Sequence, residues 1–570
     1  MSQPLGSFCL VLHGHLPYVL RHGTWPHGED WLYEAAAETY LPLLATVDEC
    51  LFFNAQPKIT MGITPVLLEQ LSHEHFKQGF EHYLEDRIDR AQADKKEFEG
   101  FDNGHMAYLA DFWIEWHQAR LDQFRKYDRD IPAAYAERCR AGHFEILTSN
   151  ATHAYMPLLY EDTSIRAQIR AGIASSERIL GFKPTGMWLP ECAYRPQGQW
   201  DPPINWGRKD FRTGIEHLVA DEGITHFFTE SHLIEGCKSE CVSDGSGFHK
   251  VGWDDATKYP GRGWRSVNEP HGVNSDGTCQ HRVNAFARDQ EVCERVWSGT
   301  IGYPASGEYL EFHKKWGARR GLRYWKVTGN KVDLGDKHLY YPTDTEGKVY
   351  EHAQDFVNQV KARLRAYTTQ TGGKKGIVVT CFDAELFGHW WFEGPRFIRD
   401  VMLTMSADPE IELTTTAEYL DKTYVDKIAT LPEGSWGDGG DHRVWANEQV
   451  NWMWDIEYRC EATFGRLTGE LPWRERAEVK DLLQKAGREL LLLQASDWPF
   501  VIRRGQAIDY GIKRYMQHVA RFETLVDLVE KVASNSAYLG QLNEIEKHEI
   551  ADADLHDVIL PEIDLNWWNA

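Results

Sequence analysis

Short apolar runs that end in polar, reactive side chains recur along the chain. "SFCLVLHGHLPY" runs into His13 and His15, "HFEILTSNATHAY" into Asn150 and His153, and "GMWLPECAY" into Glu191. "GITHFFTES" runs into Glu230 and His232, and "GIVVTCFDAE" into Asp383. Runs this short, bounded by turn or polar residues, predict buried strands. Between them "YLPLLATVDECLFFN", "SIRAQIRAGIASSERIL" and "HAQDFVNQVKARLRAYTT" carry apolar residues at helical spacing. Strands alternating with helices predict an α/β fold with a parallel sheet. Reactive residues gathered at the C-terminal ends of strands are the pattern of a barrel with a site at its mouth.

The alternation breaks twice. Residues 233–287 are rich in Gly, Ser, Asp and Pro and hold no sustained period, which predicts a long irregular insertion. From about residue 411 strands fade, and "RAEVKDLLQKAGRELLLLQASDW" and "DYGIKRYMQHVARFETLVDLVEKVA" predict helices. The expected organisation is a catalytic barrel over 1–232 and 288–410, an insertion or mobile loop region over 233–287, and a C-terminal helical domain over 411–570. A chain of 570 residues is long for one domain, which favours such a division.

Composition narrows the partners. A formal net charge of −24 disfavours nucleic acid, whose phosphates need a basic face, and anionic membrane. No window approaches the roughly 18 apolar residues of a membrane span. The start lacks a basic n-region, so no signal peptide is expected. Ten cysteines scattered through a long chain predict reduced thiols and a cytoplasmic protein. The aromatic content is unusual, with 22 Trp, 24 Tyr and 25 Phe, many beside polar residues or Gly and Pro, as in "WWFEGP" and "SDWPF". Flat rings with polar neighbours suit sugars, which offer C–H faces for stacking and hydroxyls for hydrogen bonding.

Two carboxyls lead the candidate chemistry. Glu191 and Asp383 both follow apolar strands, and cleavage of a glycosidic bond needs one acid to protonate the leaving oxygen and another to attack or to activate water. The alternative is that both merely cap the helices that follow their strands. "HGH" at strand spacing points His13 and His15 the same way, so with His153 and an acid they could hold zinc, hydrogen-bond sugar hydroxyls, or serve as core histidines. Cys237, Cys241, Cys279 and His281 raise a second zinc reading inside the insertion, with unpaired thiols as the alternative. No phosphate-loop spacing and no GxSxG elbow is present.

Taken together these motifs resemble glycoside hydrolase family 57, and within it the 1,4-α-glucan branching enzymes. "HGHLPY", "GHFEILTSNATHAYMPLL", "WLPECAY" and "FDAELFGHWWFEG" look like its first four signature regions, and "VWANEQVNWMWDIEY" stands where the fifth belongs. "ARDQEVCERVWSGTIGYPASGEYLEFHKKWG" and "SDWPFVIRRGQAIDY" are similar to stretches of the branching subgroup. The resemblance implies an incomplete (β/α)7 barrel with an irregular insertion and a C-terminal all-helical domain bordering the cleft. It implies Glu191 as nucleophile and Asp383 as general acid/base. Substrate-binding residues carried over from the motifs are His13, His15, Trp31, His153, Arg288, Trp297, Trp445, Trp454, Asp497 and Gln506. His389 and Trp390 join them as cleft wall, Ala305 stands where the family has Gly, and Tyr259 is the candidate for a loop-tip tyrosine. The implied reaction is retaining cleavage of an α-1,4 glucan and transfer to a 6-hydroxyl, without metal or cofactor. An α-amylase or 4-α-glucanotransferase with the same dyad is the alternative, and a non-catalytic glucan-binding protein is the reading from another class.

Overall fold

The computed structural model describes residues 4–206, 210–243, 245–250, 265–317, 321–329, 331–555 and 558–569. Seven parallel strands among these residues form the centre: β1 (Gly6–Gly14), β2 (Ile59–Ile63), β3 (Phe144–Leu147), β4 (Gly186–Met187), β5 (His226–Thr229), β6 (Val283–Ala287) and β7 (Gly376–Asp383). β7, β1, β2 and β3 make one ladder series and β4, β5 and β6 another. The two series meet at the Thr148–Met187 bridge on one side, and the Asp289 N–H donates to the Val379 carbonyl at 2.8 Å on the other. The ring is therefore a barrel whose two seams are a bridge of two backbone hydrogen bonds and one further bond rather than ladders, an incomplete closure. β1 is buried along its full length because it has a neighbour on each edge and helices outside.

All five strands predicted from the reactive runs form. β2 and β6 were not among them, and β6 corrects the predicted layout, since Val283–Ala287 pairs in parallel with β5 and belongs to the ring rather than to the insertion. The insertion is also less irregular than expected. Lys238–Ser243, Phe248–Lys250 and His271–Val273 are strands that extend the second sheet, together with Lys427–Thr430. Cys241 and Cys279 are joined by a disulfide, which corrects both the expectation of reduced thiols throughout and the zinc reading, because a bridged sulfur is no ligand. Cys237 is a buried thiol outside the bridge, and the His281 Nε2 is held by Asn284 at 2.8 Å. Tyr259 lies outside the described residues.

Past residue 411 the chain first adds Ile411–Leu413 to β1 and Lys427–Thr430 to the second sheet, and only then turns fully helical. Helices Asn451–Glu470, Ala477–Leu493 and Ile508–Ser534 pack into a layer that shares one hydrophobic cluster with β1, β2 and β3. The short helix Asp497–Arg504 rides on that layer. Trp498 and Ile502, four apart, are buried, which leaves Asp497, Phe500 and Arg504 on the side that lines the cleft.

Candidate active site

β4 ends at Met187, and the chain then turns through Pro190–Cys192. Glu191 and Cys192 take left-handed backbone angles, with φ of 61° and 47°. That region costs a non-glycine residue energy and persists where neighbours enforce it. Here Tyr194 and Gly434 exchange backbone hydrogen bonds at 2.9 and 3.0 Å, and the Trp436 N–H donates to the Glu191 carbonyl at 3.0 Å. The same turn aims the carboxyl at the barrel mouth. The Trp436 indole N–H donates to Glu191 Oε2 at 2.7 Å, and the Ser496 hydroxyl donates to Oε1 at 3.4 Å.

Asp383 is the last residue of β7, in register with His13 of β1. It precedes the turn Ala384–Leu386 but makes no capping bond to it, which disposes of the capping alternative. No described side chain or backbone N–H donates to its carboxyl, so its oxygens are left for a ligand. Burial pushes both acids up, Glu191 to about 7 and Asp383 to about 6. The Trp436 bond opposes the shift at Glu191 while the charge of Asp383 adds to it, and the charges of His15 and Arg288 oppose it at Asp383. Near neutrality the pair holds about one proton between them. Two donors on Glu191 favour its ionised form, and a glycosidic oxygen beside Asp383 would favour the protonated form there. Glu385 is a third buried carboxyl at the mouth, pushed by burial to about 7 and hydrogen-bonded by the Tyr40 hydroxyl and, at 3.2 Å, by the His15 N–H.

The three predicted imidazoles do come together. His13 and His15 rings lie 6.0 Å apart and nearly parallel, as strand spacing requires, and His15 stacks on His153 at 3.9 Å. Burial, with the charge of His15 adding, holds His13 and His153 well below the usual imidazole range, so both are neutral. Their Nε2 atoms are 3.1 Å apart, and the His153 Nδ1 is 2.9 Å from the Ser496 hydroxyl. The His13 Nδ1 is buried without a partner. A bare acceptor there costs less than an orphaned N–H, so the network assigns the direction: His13 Nε2–H donates to His153, His153 Nδ1–H to Ser496, and the Ser496 hydroxyl to Glu191. His15 instead reaches Asp497 at 3.0 Å and Thr64 at 3.0 Å. His15, His153 and Asp497 bring ligand-capable atoms within 4.8 Å of one another, the described cluster that could hold a cation.

Two cavities meet at the acids. The larger, about 500 Å³, is lined by His13, His15, His153, Trp31, Asp497 and Gln506, with His389 and Trp390 at its rim. The smaller, about 300 Å³, is lined by Arg288, Trp297 and Trp445. Glu191, Asp383, Trp436 and Phe500 line both. Trp390 is 49% exposed and packs on Phe312 at 4.4 Å, making a flat wall beside the larger cavity. Arg288 is held by Glu230 at 2.7 Å. Two predicted positions are corrected. Trp454 is 2% exposed and lines neither cavity; its indole N–H donates to the Trp445 carbonyl at 2.8 Å, so it backs Trp445 from behind. Ala305 also lines neither cavity, because it closes the turn Tyr303–Ala305, whose Tyr303 packs on His352 and Phe397. Sequence reasoning missed Trp436, Ser496, Phe312 and Phe500. Ser496 and Phe500 flank Asp497 in "SDWPF", the one local signal; Trp436 and Phe312 reach the site only through the fold.

A barrel mouth with two half-buried carboxyls between aromatic walls is the arrangement that carbohydrate cleavage needs. The chain belongs to glycosyl hydrolase family 57, whose model matches residues 9–432, and residues 458–568 match the model of the 1,4-alpha-glucan branching enzyme C-terminal region. It is similar to a 1,4-alpha-glucan branching enzyme of Thermococcus kodakarensis, 37% identical over 95% of this chain and 77% of that protein. The solved family-57-type branching enzyme of Pyrococcus horikoshii superposes with a TM-score of 0.86 at 34% identity, covering 99% of this chain and 97% of that one. An alpha-amylase of Thermotoga maritima superposes with a TM-score of 0.80 at 27% identity, covering 99% of each.

Proposed function

We propose that the chain is a 1,4-α-glucan branching enzyme of α-glucan biosynthesis, acting by retaining double displacement. Asp383 protonates the leaving glycosidic oxygen while Glu191 attacks C1 and forms a glycosyl-enzyme, and Asp383 then deprotonates a 6-hydroxyl of the acceptor glucan. The neutral histidines His13 and His153, with His15 and Asp497, hydrogen-bond the sugar in the larger cavity, and Trp297 stacks on sugar in the smaller one, where Trp445 presents only an edge. The observation that carries this reading is the meeting of two cavities at one pair of acids, one arm for each glucan segment. Helix Asp497–Arg504, in the region that matches the branching-enzyme C-terminal model, supplies part of both arms. No described helix is long and apolar enough to cross a membrane.

Incubation with amylose tests it. The expected product, once debranched, releases new short chains without matching growth in reducing ends. Reducing ends that rise one for one with bond cleavage would make the chain an α-amylase, the reading favoured by its likeness to the Thermotoga maritima enzyme.

A further inference from the structure

A third cavity, of about 220 Å³, lies outside the cleft and shares no lining residue with either arm. Three outer helices enclose it: Leu41–Phe52, Gly104–Lys126 and Gly394–Ala407. We propose that it binds a small phosphorylated sugar.

The charge of the lining calls for an anion. Arg120, Arg396 and Arg399 all face the cavity. Arg399 is satisfied, with Asp400 at 2.9 Å and Glu49 at 3.1 Å. Arg120 and Arg396 form no ion pair among the described residues, and the Arg120 Nε is buried without a hydrogen-bond partner. The carboxylates in the lining make their contacts elsewhere, although the charge of Glu49 also acts on Arg120, and Arg396 acts on Glu393 and Asp400 beyond contact distance. Glu49 serves Arg399, and Glu38 serves Arg323 at 2.7 Å and His389 at 2.9 Å. Burial alone would raise the Glu38 carboxyl, yet Arg323 and His389 hold it at about 2, so it stays committed to those partners. Both guanidinium groups thus lack a carboxylate at contact distance, and burial pushes the pKa of Arg120 down, a cost that a bound anion would offset. Their planar forks match phosphate oxygens.

The rest of the wall is apolar and flat. Phe112, Trp116 and Arg120 recur at four-residue spacing along one helix face; Phe392 packs on Phe112 and Trp116 with ring centroids 6.0 and 5.7 Å away, and the Arg120 guanidinium lies 5.5 Å over Trp116. Aromatic faces suit the C–H face of a pyranose. The volume is below that usual for a drug-sized ligand, so it suits one ring with its phosphate and not a glucan chain. The cavity also touches the working site at one remove: Glu38, in its lining, holds His389, which lines the larger arm of the cleft.

Calorimetric titration of the full chain at constant ionic strength tests the assignment, with glucose 1-phosphate, inorganic phosphate and glucose as probes. Glucose 1-phosphate is expected to bind one to one, and more tightly than either fragment. Arg120→Gln and Arg396→Gln are each expected to weaken it at least about tenfold, with Arg120→Lys recovering part of the loss. Glu191→Gln, inside the cleft, should leave the affinity unchanged. The proposal is overturned if glucose 1-phosphate gives no binding heat, if neither arginine substitution weakens it, if either fragment binds as tightly, or if Glu191→Gln abolishes binding, which would put the ligand in the cleft. Melting curves accompany each variant. Should Arg120→Gln fail to fold, the half-buried Arg396 carries the comparison alone.

Discussion

Trp436 is bonded twice to Glu191: its indole N–H donates to the carboxyl at 2.7 Å and its backbone N–H to the carbonyl at 3.0 Å. One residue thereby fixes both the side chain and the left-handed backbone of the other. Trp436→Phe keeps the ring and the backbone bond and removes only the indole donor. A hydrogen bond to a charged group is worth about 1.5–3 kcal/mol, so kcat is expected to fall roughly 10- to 150-fold with the melting temperature little changed. Steady-state kinetics on amylose, beside a thermal melt, checks this; an unchanged kcat would show that the indole only fills space.

The pair of acids also sets the pH profile. Turnover needs one proton on the pair, carried by Asp383. Below about 6 both acids take up protons and the nucleophile is lost, and above about 7 both ionise and the acid is lost. The dependence of kcat/KM on pH is therefore expected to be a narrow bell with limbs near these values. The Trp436 donor lowers the Glu191 value, which sets the limb near 7, so Trp436→Phe should move the alkaline limb to higher pH. A flat profile from pH 5 to 8 would contradict the one-proton scheme.

Ser496 closes the chain that runs from His13 through His153 to Glu191. Without the hydroxyl, Glu191 loses one donor and the His153 N–H loses its acceptor. Ser496→Ala is expected to lower kcat about tenfold at nearly constant KM, because the interaction orients the attacking group rather than holding sugar. Ser496→Thr should restore most of the loss. A rise in KM alone would instead place Ser496 among the sugar contacts.

Much of this geometry was legible in the sequence, for identifiable reasons. Strand ends announce themselves, since an apolar run must stop where its last side chain meets solvent or ligand, and His13, His15, Glu191 and Asp383 all sit there. Helix Asp497–Arg504 could be placed near the cleft only through resemblance. Trp436 could not be found, because its position depends on the Tyr194–Gly434 bridge between distant segments. Trp454 was misplaced because an aromatic residue next to a cleft residue in sequence can point into the core. β2 escaped notice because its run ends without an acid or histidine, and β6, although it runs into Arg288, because it lay within the stretch read as an irregular insertion. The disulfide escaped because Cys241 and Cys279 become neighbours only once the strands Lys238–Ser243 and His271–Val273 form on one sheet.

That disulfide closes a loop of 38 residues at the edge of the second sheet. On the chain-entropy account a loop of this size is worth about 4 kcal/mol, an upper bound where the loop is already held by a ladder. The double substitution Cys241→Ser/Cys279→Ser is expected to loosen that edge locally. Amide exchange should accelerate in Lys238–Ser243 and Phe248–Lys250 and stay unchanged in β1 and β7. Uniform acceleration across the barrel would show that the bridge supports the whole fold.

Phe500 bears on which acceptor reaches the glycosyl-enzyme. It lines both arms beside the two acids, with its ring 6.3 Å from that of Trp445 and the Arg504 guanidinium 5.4 Å over it. A large apolar side chain at the junction excludes water from the space where an acceptor hydroxyl must approach Asp383. Truncation opens that space. Phe500→Ala is expected to keep the cleavage rate within about tenfold while shifting the outcome from transfer toward hydrolysis. The ratio of new reducing ends to new branch points, measured on one amylose digest, reads the shift directly. A ratio equal to that of the unsubstituted chain would show that water is excluded elsewhere in the cleft. A fall in cleavage much larger than tenfold would make Phe500 a sugar contact instead.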